Sequence, residues 1–487
     1  MDIDPRPRKL FIDGDWVEPA GGRYFKTINP ATEEVITEVA EAGAADVERA
    51  VKIARRAFEH GPWPRLAPSK RRGVLETMAR LLAERIEDFA LLETIDTGKP
   101  ISQTRNRDLP FACEIFRYYA GWADKIYATA LPPSPTGFGY TQREPVGVVA
   151  MITPWNSPLV LSLMKIAPAL AAGNVVIHKP ASWTPLTAFH FAQLASEAGL
   201  PEGVLNVITG PGHTVGRALV VHPGVDKISF TGETATGREI MRDGAETLKR
   251  VSFELGGKSP NIVFADAPDL DAAATFAARG FCVNQGQICW AGSRLFVEAS
   301  IHDRLMEKLL VRVKEDWNIG DPLEPETQVG PLISRSHREQ VQGYIDAGKK
   351  EGARLVLGGD RPDRKGYYLN PTVFDRATNQ MRIAREEIFG PVLSVIPFSG
   401  FDEVIAQAND TCYGLAAGVW TTDLSKAHRA ARLIKAGSVW INTYGALNIA
   451  APFGGFKQSG FGREMGQEAL QLFTEVKTVW VELGENP

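Results

Sequence analysis

Residues 148–179 read VVAMITPWNSPLVLSLMKIAPALAAGNVVIHK, and this stretch decides the fold. It opens on a short β-rich run, Val148–Ile152, and closes on a second, Val175–Ile177. Between them lies an apolar segment of helical length. Pro158 to Ile177 nearly matches a membrane span of about 20 residues. Lys165, Pro168, Gly173 and Asn174 interrupt it, so a buried helix followed by a strand reads better. Strand, helix, strand is the βαβ unit of a parallel sheet.

The same alternation continues outward. Further β-rich runs stand at Val204–Ile208, Lys227–Phe230 and Asn261–Phe264, and helical stretches separate the first four runs. A second βαβ-like series comprises Arg294–Val297, a helix near 300–316, Arg354–Leu357, Ser394–Pro397 and Ser438–Asn442. Two α/β domains are expected, with parallel sheets. Ahead of them, residues 46–59 carry a helical apolar face with Asp46 as the expected N-cap. Residues 74–95 read as one amphipathic helix. Residues 127–146 differ, with Pro132, Pro133, Pro135 and Gly137 before an extended Tyr140–Arg143. Thr474–Leu483 alternates like a strand, and both segments suit edge or assembly elements.

Bulk composition narrows the function classes. The 487 residues are 44% hydrophobic and 23% charged, with net charge −4. That length suggests about two or three domains, and the charge gives no basic surplus for nucleic acid. The start, MDIDPRPRKLF, is too charged and proline-rich for a secretory signal, so a cytoplasmic protein without a membrane segment is expected. Cys113, Cys282, Cys289 and Cys412 form no C-x-x-C pair, and there is no H-E-x-x-H, so no metal site is expected. Each cysteine reads first as a small buried hydrophobe.

Four segments carry candidate chemistry. Gly210-Pro-Gly212-His-Thr-Val-Gly216 approaches a dinucleotide fingerprint, but its last spacing is one residue too long, and a simple packing turn reads equally well. Gly232-Glu233-Thr-Ala-Thr-Gly237 follows a strand and offers a glycine-lined helix N-terminus for a phosphate. Cys289 sits in NQGQICWAGS, among polar residues and glycines rather than in a periodic apolar run. Glu254 interrupts an apolar run before Gly256-Gly257, where burial would raise its pKa toward general-base range; a glutamate turned to solvent is the plainer reading.

Taken together, the chain resembles the aldehyde dehydrogenase superfamily from about Phe11 to Trp480. The family's motifs occur in order: Pro154-Trp155-Asn156, Lys179-Pro180, Phe230-Thr231-Gly232, Glu254-Leu255-Gly256-Gly257-Lys258, Gly286-Gln-Ile-Cys289, Glu386-Glu387-Ile-Phe389-Gly390-Pro391 and Pro452-Phe453-Gly454-Gly455. The resemblance implies that Cys289, as thiolate, attacks an aldehyde carbonyl. Asn156 and the Cys289 N–H would hold the oxyanion, and Glu254 would activate water. It also implies NAD or NADP as cofactor, with Lys179 at the adenosine ribose, Glu387 at the nicotinamide ribose and Phe389 at the ring. Trp155 and the Gly232 turn would lie near the pyrophosphate. Ile152, Thr153, Pro154 and Ser182 belong to the expected cofactor site. So do Gly212, Gly216, Phe230, Glu233 and Leu255.

A substrate tunnel is expected from Phe111, Ser157, Leu161, Ile288, Trp290, Leu447 and Phe453. Its apolar and aromatic lining implies a medium-sized apolar or aromatic aldehyde. The alternative is a semialdehyde acid with Arg107 as carboxylate anchor. Acyl transfer to coenzyme A fits less well, since a carboxylate at 254 favours water. A non-catalytic scaffold is disfavoured because Cys289 and Glu254 are both present.

The family divides into a Rossmann-like cofactor domain (1–126 and 147–257), a catalytic domain (258–469) and a small β oligomerisation arm (127–146 and 470–487). A homodimer or homotetramer is implied. Two departures stand out. Ser182 replaces an acidic residue common in NAD-preferring members, so NADP is expected to be accepted at least comparably to NAD. Glu233 replaces a serine beside the pyrophosphate.

Overall fold

The computed structural model describes residues 6–134 and 136–484. The first five residues, Pro135 and the last three residues of the expected arm lie outside the described residues.

The quoted stretch folds as strand Val148–Ile152, helix Pro158–Ala171 and strand Val175–Lys179, every strand residue buried. Strands covered on both faces read as continuous apolar runs, which is why this unit could be recognised. Leu205–Val207 extends the sheet beyond Val175–Lys179, and Lys227–Thr231 and Arg250–Glu254 extend it on the other side, all parallel. Antiparallel Leu10–Ile12 and Asp15–Val17 flank one edge, and Gly460–Phe461 flanks the other, giving eight strands. Chain order reverses between Val148–Ile152 and Lys227–Thr231. The carboxyl ends of strands at such a switch point open a crevice where ligands bind in this architecture.

The second sheet has seven strands, centred on Arg294–Glu298 between Pro260–Val263 and Val392–Phe398. Two of its strands, Thr372–Asp375 and Ala416–Trp420, were not anticipated. Ala416-Ala-Gly-Val-Trp420 is poor in β-branched residues. Arg354–Leu357, expected in a parallel series, is an antiparallel edge strand with a register shift. Gly137–Pro145 and Thr474–Glu482 pair antiparallel along nine residues and form a separate ribbon.

Two helical expectations need correction. Residues 74–95 are not one helix but parts of two, Pro68–Glu84 and Ile86–Thr97, broken at Arg85 with φ −117° and ψ 22°. Asp46 is not the N-cap. The helix Ala44–Glu59 is capped at Gly43, and Asp46 accepts from the Gly43 N–H (2.8 Å) and the Ala20 N–H (2.9 Å). Among the described residues no helix is long and apolar enough to cross a membrane.

Candidate active site

A cleft of about 450 Å³ opens at the first sheet's switch point, facing the segments that carry Cys289 and Glu387. Its walls come from the turns after three strands: Pro154–Asn156 after Val148–Ile152, Gly232–Glu233 after Lys227–Thr231, and Leu255–Gly256 after Arg250–Glu254. Cys289, Glu386, Glu387 and Phe389 face them from the other side.

The cysteine loop is held under strain. Asn284, Gln285 and Gly286 all take left-handed backbone angles, with φ 48°, 56° and 70°. At Gly286 a Cβ would lie 2.2 Å from the Gly390 carbonyl, so only glycine fits. Side-chain amides of the loop secure it. The Gln285 amide donates to the carbonyls of Gly98 and Pro331 (both 3.0 Å), and the Gln287 Oε1 accepts from the Ile333 N–H. Strain of this kind persists where the surroundings over-determine it, typically at functional sites. The Asn156 amide donates to the Gln287 carbonyl (2.9 Å), and Asn284 donates back to the Asn156 carbonyl (2.8 Å). Asn156 and the cysteine loop are thereby tied together.

Glu254 ends its strand almost fully buried, and neither carboxylate oxygen has a conventional hydrogen-bond partner. Burial pushes its pKa up to about 8, and the nearby negative charge of Glu464 adds to the effect. It lies against the Cys289 thiol, whose own pKa is raised by burial and then by Glu254. Gly257 makes this approach possible, since a Cβ there would lie 2.3 Å from the Cys289 carbonyl. A pair missed in the sequence stands near Glu254: buried Lys165 bonds Glu464 and the Thr231 hydroxyl (2.5 Å). Lys165 had shown itself only as a charge in an apolar helix.

The expected cofactor residues fall into two groups. Glu387 accepts from the Gly257 N–H (3.0 Å) and packs so closely that a Cβ on Gly256 would meet its Oε2 at 2.1 Å. Burial, opposed by that hydrogen bond, raises Glu387 to about 7. Phe389 and Trp155 meet edge to face at 5.2 Å, with His337, missed in the sequence, 5.4 Å from Trp155. Leu255 lines this central cleft, whereas Phe230 is buried beneath Gly232.

The second group lies off the central cleft. Buried Lys179 is pushed down to about 8 by desolvation, and its ammonium bonds the Pro180 carbonyl (3.0 Å). Gly216 packs on Lys179 and Ile152. The Ser182 hydroxyl donates to the Gly210 carbonyl (2.9 Å). Gly212–Gly216 is a wide helical turn rather than a glycine fingerprint, and a Cβ on Gly212 would meet open space. Thr153 bonds buried His178 (2.9 Å), which therefore faces away from Lys179, as strand alternation requires. Glu233 is exposed, caps the helix Thr234–Gly244 without a side-chain bond, and lines the cleft.

Of the expected tunnel residues, Phe111, Leu161 and Trp290 pack, with Cys289, on one apolar cluster that includes Phe453. Ile288 is buried, Leu447 is 41% exposed, and the Ser157 hydroxyl faces the Lys99 amine. Cys113 and Cys282 are buried, as expected of small hydrophobes; Cys412 departs from that reading, being exposed on the cleft.

A profile of the Aldehyde dehydrogenase family matches residues 16–479. The chain belongs to the aldehyde dehydrogenase family. Among its relatives, aldehyde dehydrogenase 1 of Tanacetum cinerariifolium is 50% identical over 98% of this chain and 96% of its own length. Aldehyde dehydrogenase 1A1 of Gallus gallus is 48% identical, covering 99% of this chain and 95% of its own. A solved indole-3-acetaldehyde dehydrogenase in complex with NAD+ superposes with TM-score 0.97 at 48% identity, covering 99% of this chain and 97% of that one. The aldehyde dehydrogenase KauB of Pseudomonas aeruginosa matches at TM-score 0.97 and 49% identity, with coverage of 99% and 97%.

Proposed function

We propose that this aldehyde dehydrogenase oxidises an aldehyde to a carboxylic acid with NAD+ or NADP+, through a covalent intermediate on Cys289. The observation that carries this reading is the unpartnered, buried carboxylate of Glu254 against the Cys289 thiol. The residues present fit a dinucleotide. Glu387 is set by the Gly257 N–H, the first turn of Thr234–Gly244 lines the same cleft, and Lys179 supplies a buried ammonium off it. Relatives solved with NAD+ support the same assignment. When bound, the nicotinamide accepts the hydride.

Every other step belongs to the chain's own groups. The Cys289 thiol, partly exposed on the cleft, gives up its proton to solvent. The thiolate attacks the aldehyde carbon, forming a C–S bond and placing negative charge on the former carbonyl oxygen. Asn156 has a second amide N–H beyond the one given to Gln287, and with the Cys289 N–H it holds that oxygen. After hydride loss a thioester remains on Sγ. Glu254 takes a proton from water, whose oxygen attacks the thioester carbon. The C–S bond breaks, the acid leaves, and the Cys289 thiolate is regenerated.

The cluster of Phe111, Leu161, Trp290 and Phe453 supports an apolar or aromatic aldehyde, and the relative named for indole-3-acetaldehyde agrees with it. A second reading has its own observation. Half-buried Arg279 makes no ion pair among the described residues, and Arg107 is near enough to repel its charge. Arg107 is held by Asp108 (2.9 Å). Two arginines together suit an aldehyde with a carboxylate at its far end. Absorbance of reduced cofactor across neutral aldehydes of graded length, and across their carboxylated analogues, separates the readings. Highest kcat/KM for acetaldehyde would remove the apolar tunnel. Arg107→Ala should raise KM for carboxylated analogues alone if the second reading holds.

The exposed side chains of Phe138, Val476 and Trp480 on the two-stranded ribbon support assembly into a homodimer or homotetramer. A reactive thiol at Cys289 suits a reducing cytoplasm.

A further inference from the structure

The turn that carries Asn156 rests on a buried ionic cluster that the catalytic scheme does not use. Ser157, next in sequence, caps the helix Pro158–Ala171, yet its side chain makes no capping bond. Its hydroxyl instead accepts from the amine of Lys99 (2.7 Å), which is 0% exposed and also pairs with Asp108. The helix N-terminus is served by buried Glu93, which accepts from the Leu159 N–H (3.3 Å). Burial raises Glu93 to about 7, opposed by the charge of Lys99. Burying an ammonium and two carboxylates is costly, and such clusters are poor sources of net stability.

The same segment also grips the nucleophile. Gly98, beside Lys99, accepts through its carbonyl from Gln285, and Gln103 accepts from the Asn284 N–H (3.0 Å). Residues 98–103 therefore touch both the cysteine loop and, through Lys99, the asparagine turn. The turn at Thr104–Asp108 is a π-helical widening, a feature found often at functional sites, and it brings Asp108 onto Lys99.

We infer that Lys99 is a positioning residue, which through Ser157 fixes the Asn156 amide relative to the Cys289 sulfur. The inference rests on the proposed role of Asn156 in holding the oxyanion. Lys99 touches neither substrate nor cofactor. It sets the angle of the turn, and the Asp108 carboxylate keeps its ammonium aimed at Ser157.

The test is the rate of the first burst of reduced cofactor, measured in single turnover on the full-length enzyme. Small displacements at a reacting centre carry large penalties, so Lys99→Met should slow the burst by roughly tenfold to a hundredfold, with KM for cofactor unchanged. Ser157→Ala keeps the Lys99–Asp108 pair intact and should slow it in the same direction, which covers failure of Lys99→Met to fold. Both substitutions are then placed in an Asn156→Ala background. A positioning role predicts that neither slows the burst further there, since the group they position is gone. Equal fold-losses in both backgrounds, or a lowered Tm with an unchanged burst in the folded variants, would overturn the inference. A normal burst in Asn156→Ala alone would instead overturn the role given to Asn156.

Discussion

Replacing Glu254 by Gln removes the proposed base while keeping its shape, and the structure sets the size of the effect. Glu254 titrates at about 8 because it is buried and faces the charge of Glu464. Only the ionised form can take a proton from water, and at pH 7 roughly one molecule in ten carries it. Where thioester hydrolysis limits turnover, kcat should rise roughly tenfold between pH 7 and pH 9. Glu254→Gln should give one burst of reduced cofactor per site, then near silence at every pH. Cys289→Ala, as control, should give no burst. Stability supplies an independent readout. The carboxyl keeps its proton in the folded state up to about pH 8 but loses it near 4.5 when unfolded. The stabilisation from that retained proton is complete below about 4.5 and is lost as pH rises to about 8, at about 1.4 kcal/mol per pH unit. Glutamine has no such dependence, so Glu254→Gln should gain on the wild type in Tm as pH rises through that window. Normal steady-state turnover in Glu254→Gln, or a wild-type kcat that is flat from pH 7 to 9, would refute the reasoning.

Gly256→Ala should place a methyl against the Glu387 carboxylate and push it off the Gly257 N–H. Losing a hydrogen bond to a charged group costs about 1.5–3 kcal/mol, so KM for cofactor should rise at least tenfold, and an unchanged KM would remove Glu387 from the cofactor site. Position 182 should govern cofactor choice. The Ser182 hydroxyl is committed to the Gly210 carbonyl, and Thr184 donates to the Trp155 carbonyl, so these two side chains present no carboxylate to repel a 2′-phosphate. Ser182→Glu should shift kcat/KM toward NAD by roughly 1–3 kcal/mol. A wild-type preference for NAD above about a hundredfold would show that this residue does not set the choice.

What could be read from the sequence follows from how local each signal is. Val148–Ile152 and Val175–Lys179 announce themselves because a strand buried on both faces needs an unbroken apolar run. The break at Arg85 leaves no such mark. No proline or glycine stands there, and the Arg85 side chain finds its partner, Glu197, on a distant helix. The site divides in the same way. Glu254 and Cys289 are conspicuous because polar residues and glycines crowd an otherwise apolar setting, and Gly286 and Gly257 are the local trace of backbones that must nearly touch. The groups that set their chemistry are not local. Glu464, which raises Glu254, is 299 residues from its partner Lys165, and Lys99 meets Ser157 across 58 residues. A lone charge in an apolar stretch tells that a partner exists but not which residue it is. Cys289 and Glu254 can thus be named from motifs, whereas the protonation state in which they rest is a property of burial and distant charge, and only the folded chain supplies it.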